Sequence, residues 1–497
     1  MDWMSVRRGI ASSGGERKQI QSGGGRKKAT LLAVLLLACA GAVPRAQQEP
    51  AGTAFRAQAK DLWGVDLLVL ADGRRVRLQG LSLPTPRARP EGFTEALKAH
   101  LRASLLGREV WITPERAREA WDPADVVGVV RTSPQGPSVN EEVLAAGLAV
   151  YRVATPEPRE DDALFAAARR AQRERRGWFA LGAERAFQAL PYLNGAVLAL
   201  YDQDPARSYV GAIDELAEAG FRHVCLLFSA FLPDVHGSRI DRHHRRTVGD
   251  ERLEETIRHA KQRGMSVMLL PIVLLDESRP EDWRGVVRPS EQDQFWREYE
   301  RFLAHYLDVA ERAGVEIVSV GSELGSLEPQ TERWLRVIRN ARGRFRGLLT
   351  YSVNWDHYHV PRFFAQLDFV GMTAYFSLTK EMDPSPAELV SAWRRLGEEL
   401  EEKLRTVPVP VVFTEVGYAS QDGINRDPWN YFMNRDRIDL REQAECLAAF
   451  VEVAKDLPFL RGAYFFDYFG EGGPHDPGYS PRGKPAMVEW RRWARIR

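Results

Sequence analysis

Two glutamates, Glu323 and Glu415, each stand just beyond a short β-rich run, Glu316–Gly321 for the first and Val409–Thr414 for the second. If the ends of these runs converge, two carboxylates share one mouth and can divide the work of proton donor and nucleophile or base. A lone glutamate at a strand end would as readily cap a helix or pair with an arginine; the matched placement of two favours chemistry. Trp283, Trp355, Tyr418 and Phe466 lie near the ends of other runs, and flat rings of this kind can stack on the apolar face of a bound substrate. Arg239 to Arg246, with His236, His243 and His244, read as a solvated loop rather than a metal or phosphate patch. No metal-ligand spacing occurs, so neither metal nor cofactor is expected.

The elements that must position these residues form a repeating series. From Asn194 onward, β-rich runs occur at Gly195–Leu200, His223–Phe228, Ser266–Val273, Glu316–Gly321, Leu348–Val353, Asp368–Ala374, Val409–Thr414 and Arg461–Phe466. Their nearly continuous apolar character predicts strands buried on both faces, as in a parallel sheet. Segments of helical period separate them, such as Val210, Ile213, Leu216 and Ala217, or Leu253, Ile257 and Ala260. We count eight of each. The pattern also permits an open doubly wound sheet, but eight repeats over ~300 residues suit a closed (β/α)₈ barrel better.

The preceding region reads differently. Leu67–Leu70, the turn Ala71-Asp72-Gly73 and Val76–Leu78 predict a hairpin. Helices are expected over Glu95–Leu106, Val139–Ala146 and about Asp161–Arg175, and strands over Glu109–Thr113 and Val126–Arg131. This order, with Val-Arg-Leu-Gln-Gly-Leu at 76–81, Asn140, Gly147-Leu148-Ala149 and Arg176-Gly177-Trp178, resembles the staphylococcal-nuclease-like family. The resemblance implies a five-stranded barrel of the oligonucleotide-binding type. It also implies acidic calcium ligands and two phosphate-clamping arginines, and here the chain departs. Arg77 matches the first arginine, but Val65, Ser82 and Thr85 stand where acids are usual, and Pro123-Ala124-Asp125 replaces the second arginine. The domain reads as a binding or spacer module without catalysis.

The later region carries Trp283-Arg284-Gly285, Phe295-Trp296-Arg297-Glu298-Tyr299, Gly321-Ser322-Glu323-Leu324, Asn354-Trp355-Asp356, Asp368-Phe369-Val370-Gly371, Ala374-Tyr375, Thr414-Glu415-Val416-Gly417-Tyr418 and Tyr479-Ser480-Pro481-Arg482-Gly483-Lys484-Pro485. In this order they resemble glycoside hydrolase family 113, within a clan of retaining (β/α)₈ glycosidases. The resemblance implies Glu323 as acid/base, Glu415 as nucleophile, Tyr375 as the hydroxyl that holds the nucleophile, and β-mannan as a substrate. Two departures stand out: Ser322 for the usual threonine, and an eighth strand ending Tyr464-Phe465-Phe466-Asp467-Tyr468 where the clan commonly places a tryptophan. A retaining mechanism needs its carboxylates ~5 Å apart, with the acid's proton held by its charged neighbour. A barrel that binds glycan or cell-wall polymer without cutting it remains the alternative, and nuclease activity in the first domain a remoter one.

The N-terminus sets the destination. Arg7, Arg8, Arg17, Lys18, Arg26, Lys27 and Lys28 precede an apolar run within Ala29–Val43 that ends in small residues, the make-up of an export signal. The run falls short of the ~20 residues a spanning helix needs. Leu36-Leu37-Ala38-Cys39 is similar to a lipoprotein cleavage box, so the exported protein is either secreted, lipid-anchored through Cys39, or held by an uncleaved anchor. A net charge of +1 gives no electrostatic case for nucleic acid. Of three cysteines, Cys225 and Cys446 sit in apolar runs and read as buried small hydrophobes. The expected organisation is a signal at 1–46, the nuclease-like barrel at 51–182 and the (β/α)₈ barrel at 190–497, with a polysaccharide as partner.

Overall fold

The computed structural model describes residues 54–84, 89, 91–114, 125–151, 162–181, 190–201, 209–279, 281–404, 407, 409–432 and 434–496. The N-terminal signal region and Thr85 lie outside these residues. Two closed barrels follow one another along the chain.

The first barrel is built from β1 (Phe55–Trp63), β2 (Leu67–Leu70), β3 (Arg75–Leu78), β5 (Glu109–Pro114) and β6 (Asp125–Arg131), in the order β1-β2-β3-β6-β5. The Asp-Gly hairpin joins β2 to β3 as its sequence requires, with Leu68 opposite Val76. Helices α1 (Phe93–Leu105), α2 (Val139–Ala145), α3 (Asp162–Arg173) and α4 (Trp178–Leu181) pack around it, and a short pair, β4 (Leu81–Ser82) with β7 (Val150–Tyr151), closes one side. Asn140 is fully buried because it splices the backbone: its Oδ1 accepts from Val130 N–H at 2.9 Å, and its Nδ2 donates to the Gln79 carbonyl at 2.8 Å. Gly147 and Gly177 touch backbone to backbone. A Cβ on Gly147 would lie 2.3 Å from the Arg176 carbonyl oxygen, and both residues have positive φ. That mutual approach explains the Gly147 and Arg176-Gly177-Trp178 signature.

The second barrel is the eight-stranded parallel one. Its strands are β8 (Leu193–Ala199), β9 (His223–Leu232), β10 (Ser266–Leu275), β11 (Ile317–Ser322), β12 (Leu348–Asn354), β13 (Val370–Thr373), β14 (Val411–Val416) and β15 (Leu460–Phe465), closed by pairing of β15 with β8. Each coincides with one of the eight apolar runs. The barrel interior is filled by Val197, Cys225, Leu227, Met268, Leu270, Ile317, Val412 and Tyr464. The opposite strand faces bury against α5 (Tyr209–Ala219), α6 (Asp250–Gln262), α7 (Gln292–Ala313), α8 (Thr331–Arg344), α9 (Pro386–Leu404), α10 (Leu440–Ala454) and α11 (Ala486–Ala494).

The expected count of eight helices needs correction. Between β12 and β13 the chain makes only a 3₁₀ turn, Phe364–Gln366. The connection is too short for a strand-length α-helix, and Pro361 within it lacks an amide donor. The outer ring therefore has a gap between α8 and α9 among the described residues.

Gly147→Ala is expected to lower stability by ~2–4 kcal/mol, since a side chain there meets both backbone strain and a backbone clash. Gly107→Ala, with positive φ but open space around it, should cost ~1 kcal/mol. Urea unfolding of the full chain reads both; equal losses would show that the close approach of Gly147 is not what restricts it.

Candidate active site

Glu323 and Glu415 reach the same mouth because their strands are irregular where it matters. In β11 the pairing with β12 shifts between Ser319 and Ser322, and in β14 the pairing with β13 shifts so that Thr373 stands opposite Glu415. A bulge places an extra residue on one strand and re-aims the side chains beyond it. Glu323 then leaves its strand with φ of 50°, a left-handed conformation costly for a residue with a Cβ. Its amide is fixed by the Ser352 carbonyl at 2.8 Å.

Both glutamates are buried. Glu323 is gripped through each oxygen: Arg284 Nη2 lies 2.5 Å from Oε2, and the Thr373 hydroxyl donates to Oε1 at 2.5 Å. Glu415 is held through one oxygen only. Tyr375 donates its hydroxyl to Oε2 at 2.7 Å, while Oε1 is buried with no hydrogen-bond partner among the described residues. Thr373 links the pair, since its side chain holds Glu323 and its backbone faces Glu415 in the ladder.

The shared burial of the two carboxyls shows in the electrostatics of Glu415. Burial, and next the charge of Glu323, push the Glu415 carboxyl up to about 8; Arg284 and the Tyr375 hydrogen bond oppose this. The Arg284 guanidinium compensates Glu323 at contact distance and is itself raised by Glu323 and then Glu415 against the effect of burial. Buried beside a second carboxylate, the Glu415 carboxyl thus holds its proton more tightly than a free glutamate does. Asp467, next along from Phe466, is pushed up to about 7 by burial and by Asp476, and its charge also acts on Glu415.

The remaining residues singled out in the sequence fall into three places. Tyr375 and Phe466 lie at the glutamates, with their rings edge to face at 6.0 Å. Trp355 and Trp283 lie on the rim. Trp355 stacks on the exposed Trp429 at 5.4 Å, and Trp283 is 40% exposed with its ring folded over Gly285, beside Arg284. Tyr418 does not belong to the mouth, which corrects its candidacy as a stacking residue. It is buried between strands and helices, near Trp393 and Cys446, because the chain past the β14 bulge turns outward. The basic loop after β9 spends its charges locally: His244 and Arg246 meet Asp276 at 3.1 and 2.8 Å. Lys484 is a buried anchor, bonded to Ser420 Oγ and the Gly478 carbonyl at 2.9 Å each. Among the described residues no three His, Cys, Asp or Glu side chains gather to hold a metal.

Sequence reasoning missed Arg284, Thr373, Asp467 and Trp429 as site residues. Arg284 lay within Trp-Arg-Gly and Asp467 followed a named aromatic, but nothing local says that their side chains turn toward the glutamates.

Comparison with known proteins bears on this geometry. The profile of Glycoside Hydrolase Family 113 matches residues 199–477. The chain belongs to this family. The staphylococcal nuclease homologue profile matches residues 75–180. Among solved structures, a family 113 β-1,4-mannanase in a complex is 21% identical over 62% of this chain and all of its own, with a TM-score of 0.56. The family 113 β-mannanase AaManA from Alicyclobacillus acidocaldarius, in complex with ManMIm, is 26% identical over 62% of this chain and 99% of its own, with a TM-score of 0.55. No curated protein matches the chain. The family 113 region is thus a glycoside hydrolase (β/α)₈ barrel, carried behind a nuclease-like barrel.

The raised carboxyl of Glu415 makes stability pH-dependent. Its folded pKa exceeds the unfolded ~4.3, so the native chain binds this proton more tightly, and the resulting stability is lost as pH climbs from ~4.3 through about 8. Asp467 acts in the same direction. Thermal unfolding should therefore show the parent weakening between pH ~5 and ~8, and Glu415→Gln melting a few degrees above it at the upper end. A Gln variant with the parent's full pH dependence would show that Glu415 does not hold the proton.

Proposed function

We propose that the family 113 barrel is a retaining glycosidase of β-linked polysaccharide such as β-mannan, with Glu415 as nucleophile and Glu323 as acid/base. The observation that carries this is the unequal tethering of the two glutamates. Glu415 keeps Oε1 free while Tyr375 fixes Oε2, as suits an oxygen that must bond to an anomeric carbon. Glu323 has an arginine and a hydroxyl arranged to take over its charge whenever it has lost its proton.

In the first step Glu323 gives its proton to the departing glycosidic oxygen while Glu415 Oε1 bonds to the sugar; in the second, Glu323 removes a proton from water as water releases Glu415. The proton must stand on Glu323 before attack. The charge of Arg284 also acts on Glu415, and there it favours the ionised form that attack requires. Trp355 with Trp429, and Trp283, offer ring faces along the rim for neighbouring sugars. The 26% identical β-mannanase supports mannan as the polymer to try first. Export belongs to the same reading: polymeric glycans lie outside cells, and residues 29–43 have the composition of an export signal.

Kinetics separate cutting from binding. Glu415→Ala should lose at least ~10⁴-fold in turnover on every substrate. Glu323→Ala should lose as much on mannan but retain the first step on an aryl β-mannoside with an acidic phenol, which leaves unprotonated. Azide should then restore turnover and yield a β-glycosyl azide. Inverted azide product, or unchanged hydrolysis in both variants, would reject the assignment; glycan retention without hydrolysis by the parent would mark a binding barrel.

A further inference from the structure

The helix ring of the second barrel is open between α8 and α9, and the first barrel lies against the structure on both sides of that opening. Glu332, in the first turn of α8, reaches Arg77 of β3 at 3.1 Å. In the gap itself, Ala365 of the 3₁₀ turn is buried with Phe93, Val150 and Trp178 of the first barrel, and Leu83 and Phe179 pack on them. At the far end of α9, Glu402 pairs with Arg169 of α3. In a (β/α)₈ barrel the helices run back from the mouth, so these contacts span the gap from the active face toward the opposite end.

We propose that the first barrel stands in for the missing helix and braces the active face of the second through Arg77. Three features argue for this. Arg77 is no ordinary surface pair: its side chain is 9% exposed and lies between Asp66 of its own barrel, at 3.1 Å, and Glu332. A guanidinium withdrawn this far from water needs a carboxylate at contact distance, and here one stands on either side of it, the second supplied by the neighbouring barrel. It also occupies the place that the nuclease resemblance aligns with a phosphate clamp, so a phosphate would have to displace Glu332. The acid beside it is Asp66, one residue past Val65, where the sequence alignment had found none.

The brace has a direct path to the chemistry. Glu332 ends a segment that starts at Glu323, and every turn of that segment is tied down. Leu324 N–H donates to the Tyr351 hydroxyl at 3.0 Å, and that hydroxyl donates to Glu328 at 2.8 Å. Ser326 donates to the Val287 carbonyl at 2.5 Å, which joins the segment to the loop bearing Arg284. Trp296 donates to Gln330 at 2.8 Å. Arg77 closes the free end of this chain of contacts. The inference concerns how Glu323 is held and does not depend on which polymer is cut.

Hydrogen exchange on the full chain tests it without any substrate. Arg77→Met and Glu332→Gln should each raise exchange roughly tenfold in peptides spanning 323–332 and 362–367, and leave α5 and α6 unchanged. The double variant should exceed neither single one. Glu332→Gln keeps the Asp66–Arg77 pair, so it decides the matter if Arg77→Met unfolds the first barrel. Unchanged exchange in Glu332→Gln, or additive effects in the double variant, would overturn the proposal. So would binding of a single-stranded oligonucleotide by the parent that Arg77→Met abolishes, since the surface would then be open to nucleic acid.

Discussion

Placing two carboxylates side by side in a barrel mouth is the constraint around which the second domain is built. Both Glu323 and Glu415 are buried, and burial together with the charge of Glu323 raises the cost of ionising Glu415. Arg284 offsets the charge of Glu323, and Thr373 and Tyr375 fix the positions of the two carboxyls. The strand bulges and the left-handed backbone at Glu323 follow from the same need, since a regular strand would not present both side chains here. Such irregularity is tolerated because a close-packed aromatic shell, including Trp296, Trp334, Tyr299 and Tyr351, surrounds the base of the site.

The same logic reaches the first barrel. Its fold is held by the Asn140 splice and the Gly147–Gly177 contact. Its one arginine matched to phosphate recognition is turned to a carboxylate of the neighbouring barrel. The nuclease-like scaffold here contributes a charged side chain to the packing of its neighbour.

Much of this was legible in the sequence. The eight apolar runs gave the strands because parallel strands buried on both faces leave little room for polar residues. The glutamates and Tyr375 were readable because they end such runs. Tyr418 misled because proximity to a strand end does not say which way a ring turns past a bulge. Arg284 and Thr373 escaped notice because their roles arise between strands distant in sequence. The 3₁₀ turn in place of a helix was hidden by a general expectation of alternation, although Pro361 and the short connection pointed to it. The interface between the barrels had no periodic signature at all, as expected for a contact made by single side chains from α8, α9 and a turn.

In the proposed mechanism Glu415, with its one unpaired oxygen, attacks the sugar. A 2-deoxy-2-fluoro-β-mannosyl fluoride slows release of the covalent intermediate far more than its formation, so the labelled residue can be found by mass spectrometry of peptides. The account predicts stoichiometric label on Glu415 in the parent and none in Glu415→Gln. Label on Glu323 or Asp467, or turnover of the natural polymer by a chain that never takes up label, would contradict it.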